Sequence, residues 1–160
     1  MSLLSGLSAV DVAVDAMGGD GAPSVPVQAG ITAARKGIRV ALIGDEAILE
    51  KKVRKLGGRN LSTLRIIHTS QAITMNEKPS TALRKKPDAS MRIAARMVAN
   101  QDARAMVSAG NSGAVMASGL FDIGRIRGVQ RPAIAAGIPT RKEPTVLLDL
   151  GANIDPTPIQ

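Results

Sequence analysis

The stretch VDVAVDAMGGDGAPSVPVQAGITAARKGIRVALIGD, residues 10–45, holds a complete strand–loop–helix–strand unit. Val10–Val14 is a short run rich in β-branched residues that ends at Asp15, and Ala16–Ala22 is a glycine-rich loop. Pro23 stands where a first-turn proline costs no hydrogen bond. Val25–Lys36 then has helical spacing and is stopped by Gly37. Ile38–Ile43 reads as a second strand. A strand returned through one helix to another strand is the unit of a parallel sheet.

The same alternation continues outward. Asp45 is placed to cap a helix over Glu46–Leu56, with acids at its start, bases near its end and a Gly57–Gly58 stop. Leu64–His68 is a third strand, and Thr69–Pro87 is a long polar connection with weak helical character. A helix capped by Asp88 or Ser90 runs to about Gln101, with Met91, Ala94, Ala95 and Val98 on one face. Ala105–Val107 is a fourth strand, followed by a glycine-rich turn and a helix from Ala114 to about Arg127. Pro132–Ile138 reads as extended chain at a sheet edge or connection, and Thr145–Leu150 as a buried strand. The expected fold is α/β: three α/β/α layers around a mostly parallel sheet of five or six strands.

Composition narrows the chemistry. With 160 residues the chain is one domain in size, and with no cysteine it offers no disulfide, thiolate metal site or thiol nucleophile. One phenylalanine and no tyrosine or tryptophan leave almost nothing to stack on a nucleobase, although a net charge of +8 would otherwise suit a nucleic-acid binder. That charge is uneven. Residues 84–142 carry eleven bases against three acids, which suits an anionic partner or a solvated basic face. The first residues lack a basic leader, and the longest uncharged stretch, Ala105–Phe121, is interrupted by glycine and asparagine and is short of a membrane span.

Three strands end alike, in DAMGGD (15–20), SAGNSG (108–113) and DLGAN (149–153). In a doubly wound sheet these tails meet at the carboxyl edge, where ligands bind. Glycines there admit close backbone approach, and helix starts offer free N–H groups to an anion. Taken singly, each loop also reads as an ordinary turn; three together point to an anion or carbonyl site. The chain has no GxxxxGK[ST] sequence, and the GDGAPS run at 19–24 departs from GxGxxG, so a dinucleotide site is a weak alternative. His68, the single histidine, reads as a proton carrier or as a hydrogen-bonded edge residue.

Five segments in order, DAMGGD (15–20), ITMNEKPSTALRKKPDASM (73–91), SAGNSGAVMASGLF (108–121), RPAIAAGIP (131–139) and LLDLGANID (147–155), resemble the bacterial phosphate acyltransferase (PlsX) family. Ser112 where threonine is common, and Leu150 where valine is common, are conservative departures; Ala89 replaces a frequent second serine before Ser90. The resemblance implies a fold similar to isocitrate dehydrogenase and phosphotransacetylase. It also implies that this is the N-terminal half of a chain about twice as long, inactive or nearly so when isolated. The implied reaction is fatty acyl transfer from acyl-[acyl carrier protein] to inorganic phosphate, by a cytoplasmic homodimer peripheral to the membrane through its other half.

In such a reaction phosphate is the nucleophile, so the enzyme has to cradle an anion, polarise a thioester carbonyl and align the two. On the resemblance, Gly18, Gly19, Gly110, Ser112 and Gly113 hold phosphate, and Asn111 and Asn153 donate to the developing oxyanion. Asp15 orders the first loop or accepts a proton. Arg84, Lys85 and Ser90 bind substrate, with the two bases neutralising phosphate or the carrier's phosphopantetheine. Arg125, Arg127 and Arg131 face the acidic carrier protein. No metal, organic cofactor or nucleic acid is implied.

Overall fold

β-Branched runs flanked by glycine and helix caps become the four strands of one sheet in the computed structural model, which describes residues 9–129 and 133–148. These are β1 (Val10–Asp15), β2 (Val40–Gly44), β3 (Leu64–His68) and β4 (Ala103–Val107). They lie in the order β3-β2-β1-β4, and every pair is parallel. All five residues of β2 are buried, as a central parallel strand covered on both faces requires.

Helices α1 (Ser24–Arg35) and α2 (Glu46–Lys55) cover one face, where Val27, Ile31 and Leu49 pack with Leu42 and Val14. Helix α4 (Ser90–Ala99) covers the other, setting Ile93, Ala94 and Met97 against Val10, Ala13, Ala41 and Ile43. The expected three layers are present. Local signals work as read: Asp45 Oδ1 accepts from the Ile48 N–H at 3.0 Å. Gly37 and Gly57 follow α1 and α2 with φ of 85° and 71°, values that favour glycine.

Three expectations need correction. The polar connection after β3 contains a formed helix, α3 (Pro79–Lys85), begun by a proline in its first turn. The helix after β4 is shorter than read. Helix α5 spans Ser112–Ser118, passes into a π-helical turn over Gly119–Ile123 and ends at Gly124, whose φ of 95° breaks the helix before Arg125. The third correction concerns the sheet, which has four parallel strands among the described residues. Ala135–Ile138 (β5) and Thr145–Leu148 (β6) form a separate antiparallel pair, and β6 is exposed along its length. A two-stranded ribbon has no second layer to cover it, so its apolar side chains stay in water. Among the described residues no helix is long and apolar enough to cross a membrane.

Candidate active site

The chain winds from β1 to β3 with α1 and α2 on one face, then crosses to β4 with α4 on the other. The order therefore reverses between β1 and β4, and the crevice at their carboxyl ends is where open α/β sheets bind ligands. Asp15 ends β1 at that point and is only 2% exposed. Its Oδ1 accepts from Ser90 Oγ at 2.6 Å and from the Met17 N–H at 3.3 Å; its Oδ2 accepts from Ser108 Oγ at 2.7 Å. Ser90 is the first residue of α4, so the carboxylate also lies at the positive end of that helix. Burying a carboxylate is costly unless it is hydrogen-bonded, and these donors offset the cost.

The network continues into the second loop, where the Gly110 N–H donates to Ser108 Oγ at 3.1 Å. Here the two glycine loops touch. A Cβ on Gly18 would collide with the Asp15 carboxylate and lie 3.1 Å from the Gly110 Cα. Gly19 has φ of 92°, and a Cβ there would come within 2.6 Å of the Ala109 carbonyl oxygen. Gly18 and Gly19 are thus required where one loop packs on the other, and Gly110 is the surface that Gly18 meets.

Asn111 caps α5, its Oδ1 accepting from the Ala114 N–H at 3.1 Å. Its amide nitrogen donates to the carbonyls of Met75 and Glu77, each at 3.0 Å. The side chain expected to meet an oxyanion here ties the 75–77 connection to the loop after β4. Gly113 serves the same contact, for a Cβ there would lie 2.8 Å from Pro79 Cγ. Ser112 is exposed at the start of α5.

The basic triplet splits. Lys86 Nζ turns inward to Glu77 Oε1 at 2.6 Å and to the Ala72 carbonyl at 2.7 Å. Lys86, with the Thr74 backbone N–H second, holds the Glu77 carboxyl down at about 2. Arg84 and Lys85 are exposed on the last turn of α3. At about 1.5 Å per residue they lie roughly 8 Å along the helix from Pro79, where α3 meets Gly113. Arg92 pairs with Asp122 through Nε at 2.9 Å and donates to the Leu83 carbonyl at 2.9 Å, fastening the π-helical turn to α4 and α3. Asp122 raises the Arg92 pKa further, so this cation is permanent.

Asp15, Ser90, Gly18, Gly19, Gly110 and Asn111 are therefore brought together at one edge of the sheet, with Ser112 and Gly113 beginning α5 beside them. Arg125 and Arg127 are exposed beyond the π-helical turn. Arg131 and Asn153 lie outside the described residues. Ser108, Glu77 and Arg92 were not singled out by sequence reasoning. Ser108, the first polar residue after β4, carried the one available signal. His68 is a hydrogen-bonded edge residue, its Nδ1 accepting from the Glu46 N–H at 3.3 Å.

The family described as "Fatty acid synthesis protein" matches residues 10–160. The chain belongs to this family. A protein of Oleidesulfovibrio alaskensis named phosphate acyltransferase is 48% identical over 148 residues, covering 92% of this chain and 42% of that one. Proteins of the same name from Pseudomonas syringae pv. syringae and Nitratidesulfovibrio vulgaris are 48% and 46% identical, covering 93% and 92% of this chain and 44% and 43% of theirs. The chain thus spans less than half the length of these relatives. Both glycine loops of the crevice lie inside the matched region of the family.

Proposed function

We propose that the protein containing this chain transfers a fatty acyl group from acyl-[acyl carrier protein] to inorganic phosphate, giving an acyl phosphate for phospholipid synthesis. The observation that carries the reading is the 48% identity, over 92% of the chain, to a protein named phosphate acyltransferase. The crevice at the β1–β4 switch point supports it as the place of reaction. A phosphate oxygen attacks the thioester carbon, the carbonyl oxygen takes up negative charge, and collapse expels the carrier's thiolate, which takes a proton from solvent. A protein nucleophile is unnecessary, in keeping with a chain that has no cysteine.

Within this reading Asp15 acts by position. Both of its oxygens already accept serine hydroxyls, so it sets the spacing of the two glycine loops and leaves proton transfer to other groups. Asn111 holds the wall formed by residues 75–77, and Asn153 keeps the expected role of oxyanion donor. Phosphate is held at the rim of Ser112 and Gly113. Arg84 and Lys85, displaced along α3, suit the carrier's phosphopantetheine, and Arg125, Arg127 and Arg131 its acidic surface. The enzyme works as a cytoplasmic homodimer at the membrane surface.

The test uses a protein of the relatives' full length with acyl-[acyl carrier protein] and phosphate, trapping acyl phosphate as hydroxamate. Phosphate-dependent hydroxamate is expected. Its absence, with the carrier left acylated, refutes the reading. Reversing the charge of Arg125 and Arg127 should raise the apparent KM for the carrier and leave kcat nearly unchanged, because rim charges act on association and are screened by salt.

A further inference from the structure

Chemistry fixes the direction of the hydrogen bonds around Asp15. An ionised carboxylate only accepts, so the 2.7 Å contact with Asp15 Oδ2 commits the single hydroxyl proton of Ser108 to that oxygen. A backbone N–H only donates, so the Gly110 N–H at 3.1 Å takes one of the two lone pairs of Ser108 Oγ. Among the described residues no other donor reaches this hydroxyl. One lone pair is left over, on a half-buried residue that opens the SAGNSG loop at 108–113.

The hydroxyl cannot easily turn round. Pointing its proton outward would strip Asp15 Oδ2 of its donor, and that carboxylate is only 2% exposed. Ser90 does not release it, because its own proton is spent on Oδ1 at 2.6 Å. Ser108 therefore meets the crevice as an acceptor. The negative charge behind it strengthens its lone pair and repels any group that offers lone pairs alone.

We propose that Ser108 selects oxyanions that carry a proton, phosphate over sulfate, by accepting a hydrogen bond from the anion's own O–H group. The two anions share a tetrahedral shape. At neutral pH phosphate keeps at least one proton and sulfate keeps none, so sulfate sets lone pair against lone pair. The inference rests on the use of phosphate at this loop proposed above. It adds the protonation state in which phosphate is held, and the residue that reads it.

Binding and turnover are read separately in the full-length protein that contains this chain. Radiolabelled phosphate is followed by equilibrium dialysis near neutral pH and constant ionic strength, and displaced with arsenate, which keeps a proton, or with sulfate. Arsenate should displace it at a similar concentration, and sulfate should need about tenfold more, the scale for an acceptor left unpaired. Ser108→Ala should weaken phosphate about tenfold and bring it level with sulfate, whereas Ser108→Thr keeps the hydroxyl and should keep the preference. A purely structural role, exerted through Asp15 and Gly110, would weaken both anions alike; an unchanged ratio in Ser108→Ala therefore overturns the proposal. So does sulfate that displaces phosphate as well as arsenate does in the unaltered protein, a result that needs no variant to fold. Phosphate that does not bind at all overturns it too. Hydroxamate formed by a protein that does not discriminate leaves acyl transfer standing without this inference. Selective binding with no hydroxamate supports the inference and refutes the transfer.

Discussion

Strands β2 and β6 are both short apolar runs, VALIG and TVLL, yet one is wholly buried and the other wholly exposed. β2 lies between β1 and β3 with helices on both faces. Among the described residues β6 has one neighbour, β5, and Val146 and Leu148 remain 65% and 69% exposed. The residues alone do not separate the two cases. What differs is whether a second layer reaches the strand, and that depends on elements far away in sequence.

The sharpest way to break this contrast is to truncate one leucine in each strand. Leu42→Ala should cost about 2–5 kcal/mol of stability in urea unfolding, the range for a buried leucine that leaves a cavity. Leu148→Ala should stay within about 0.5 kcal/mol, as for an exposed site. Equal costs would mean that the ribbon is packed in solution. Next comes the polar centre of the sheet edge. Asp15→Ala should cost about 1–3 kcal/mol, because it leaves the Ser90 and Ser108 hydroxyls without their acceptor. Asp15→Asn, which keeps one carbonyl oxygen, should cost less, and a loss no greater than that of Leu148→Ala would remove Asp15 from the framework.

Asn111 sharpens the comparison at smaller scale. Asn111→Ala loses the α5 cap and should cost about 1 kcal/mol. Asn111→Asp keeps the cap acceptor while losing the bonds to Met75 and Glu77, so amide exchange should rise in residues 75–77 with α5 retained. The smallest effect is in pH dependence. The folded Glu77 carboxyl sits at about 2, below the ordinary 4.5 of a glutamate, chiefly because the Lys86 ammonium donates to it. Its contribution is therefore complete above about 4.5 and fades as pH falls towards 2. Glu77→Gln should flatten that part of the stability profile slightly, and salt should shrink the difference, since the pair is partly exposed. An unchanged acid limb would show that the pair contributes nothing.

Local chemistry was readable from the chain. The Asp45 cap and the Gly37 and Gly57 stops depend on neighbours a few residues away, and short-range sterics decide them. Apolar periodicity carries the helix after β4 too far, because it outweighs the single stop at Gly124. Ser108 and Ser90 were not legible as partners of Asp15, since they lie 93 and 75 residues along the chain from it.

By itself the sequence determined the alternation of strands and helices, their parallel sense, and the glycine loops that end β1 and β4, because turn chemistry and hydrophobic periodicity act within one or two turns of chain. Only the tertiary structure decided that the strand order reverses between β1 and β4, that Gly18 packs against Gly110, and that Asn111 and Lys86 spend their donors on the 72–77 connection. Those outcomes arise when distant segments compete for the same buried space and the same hydrogen-bond acceptors, and that competition exists only once the layers have closed.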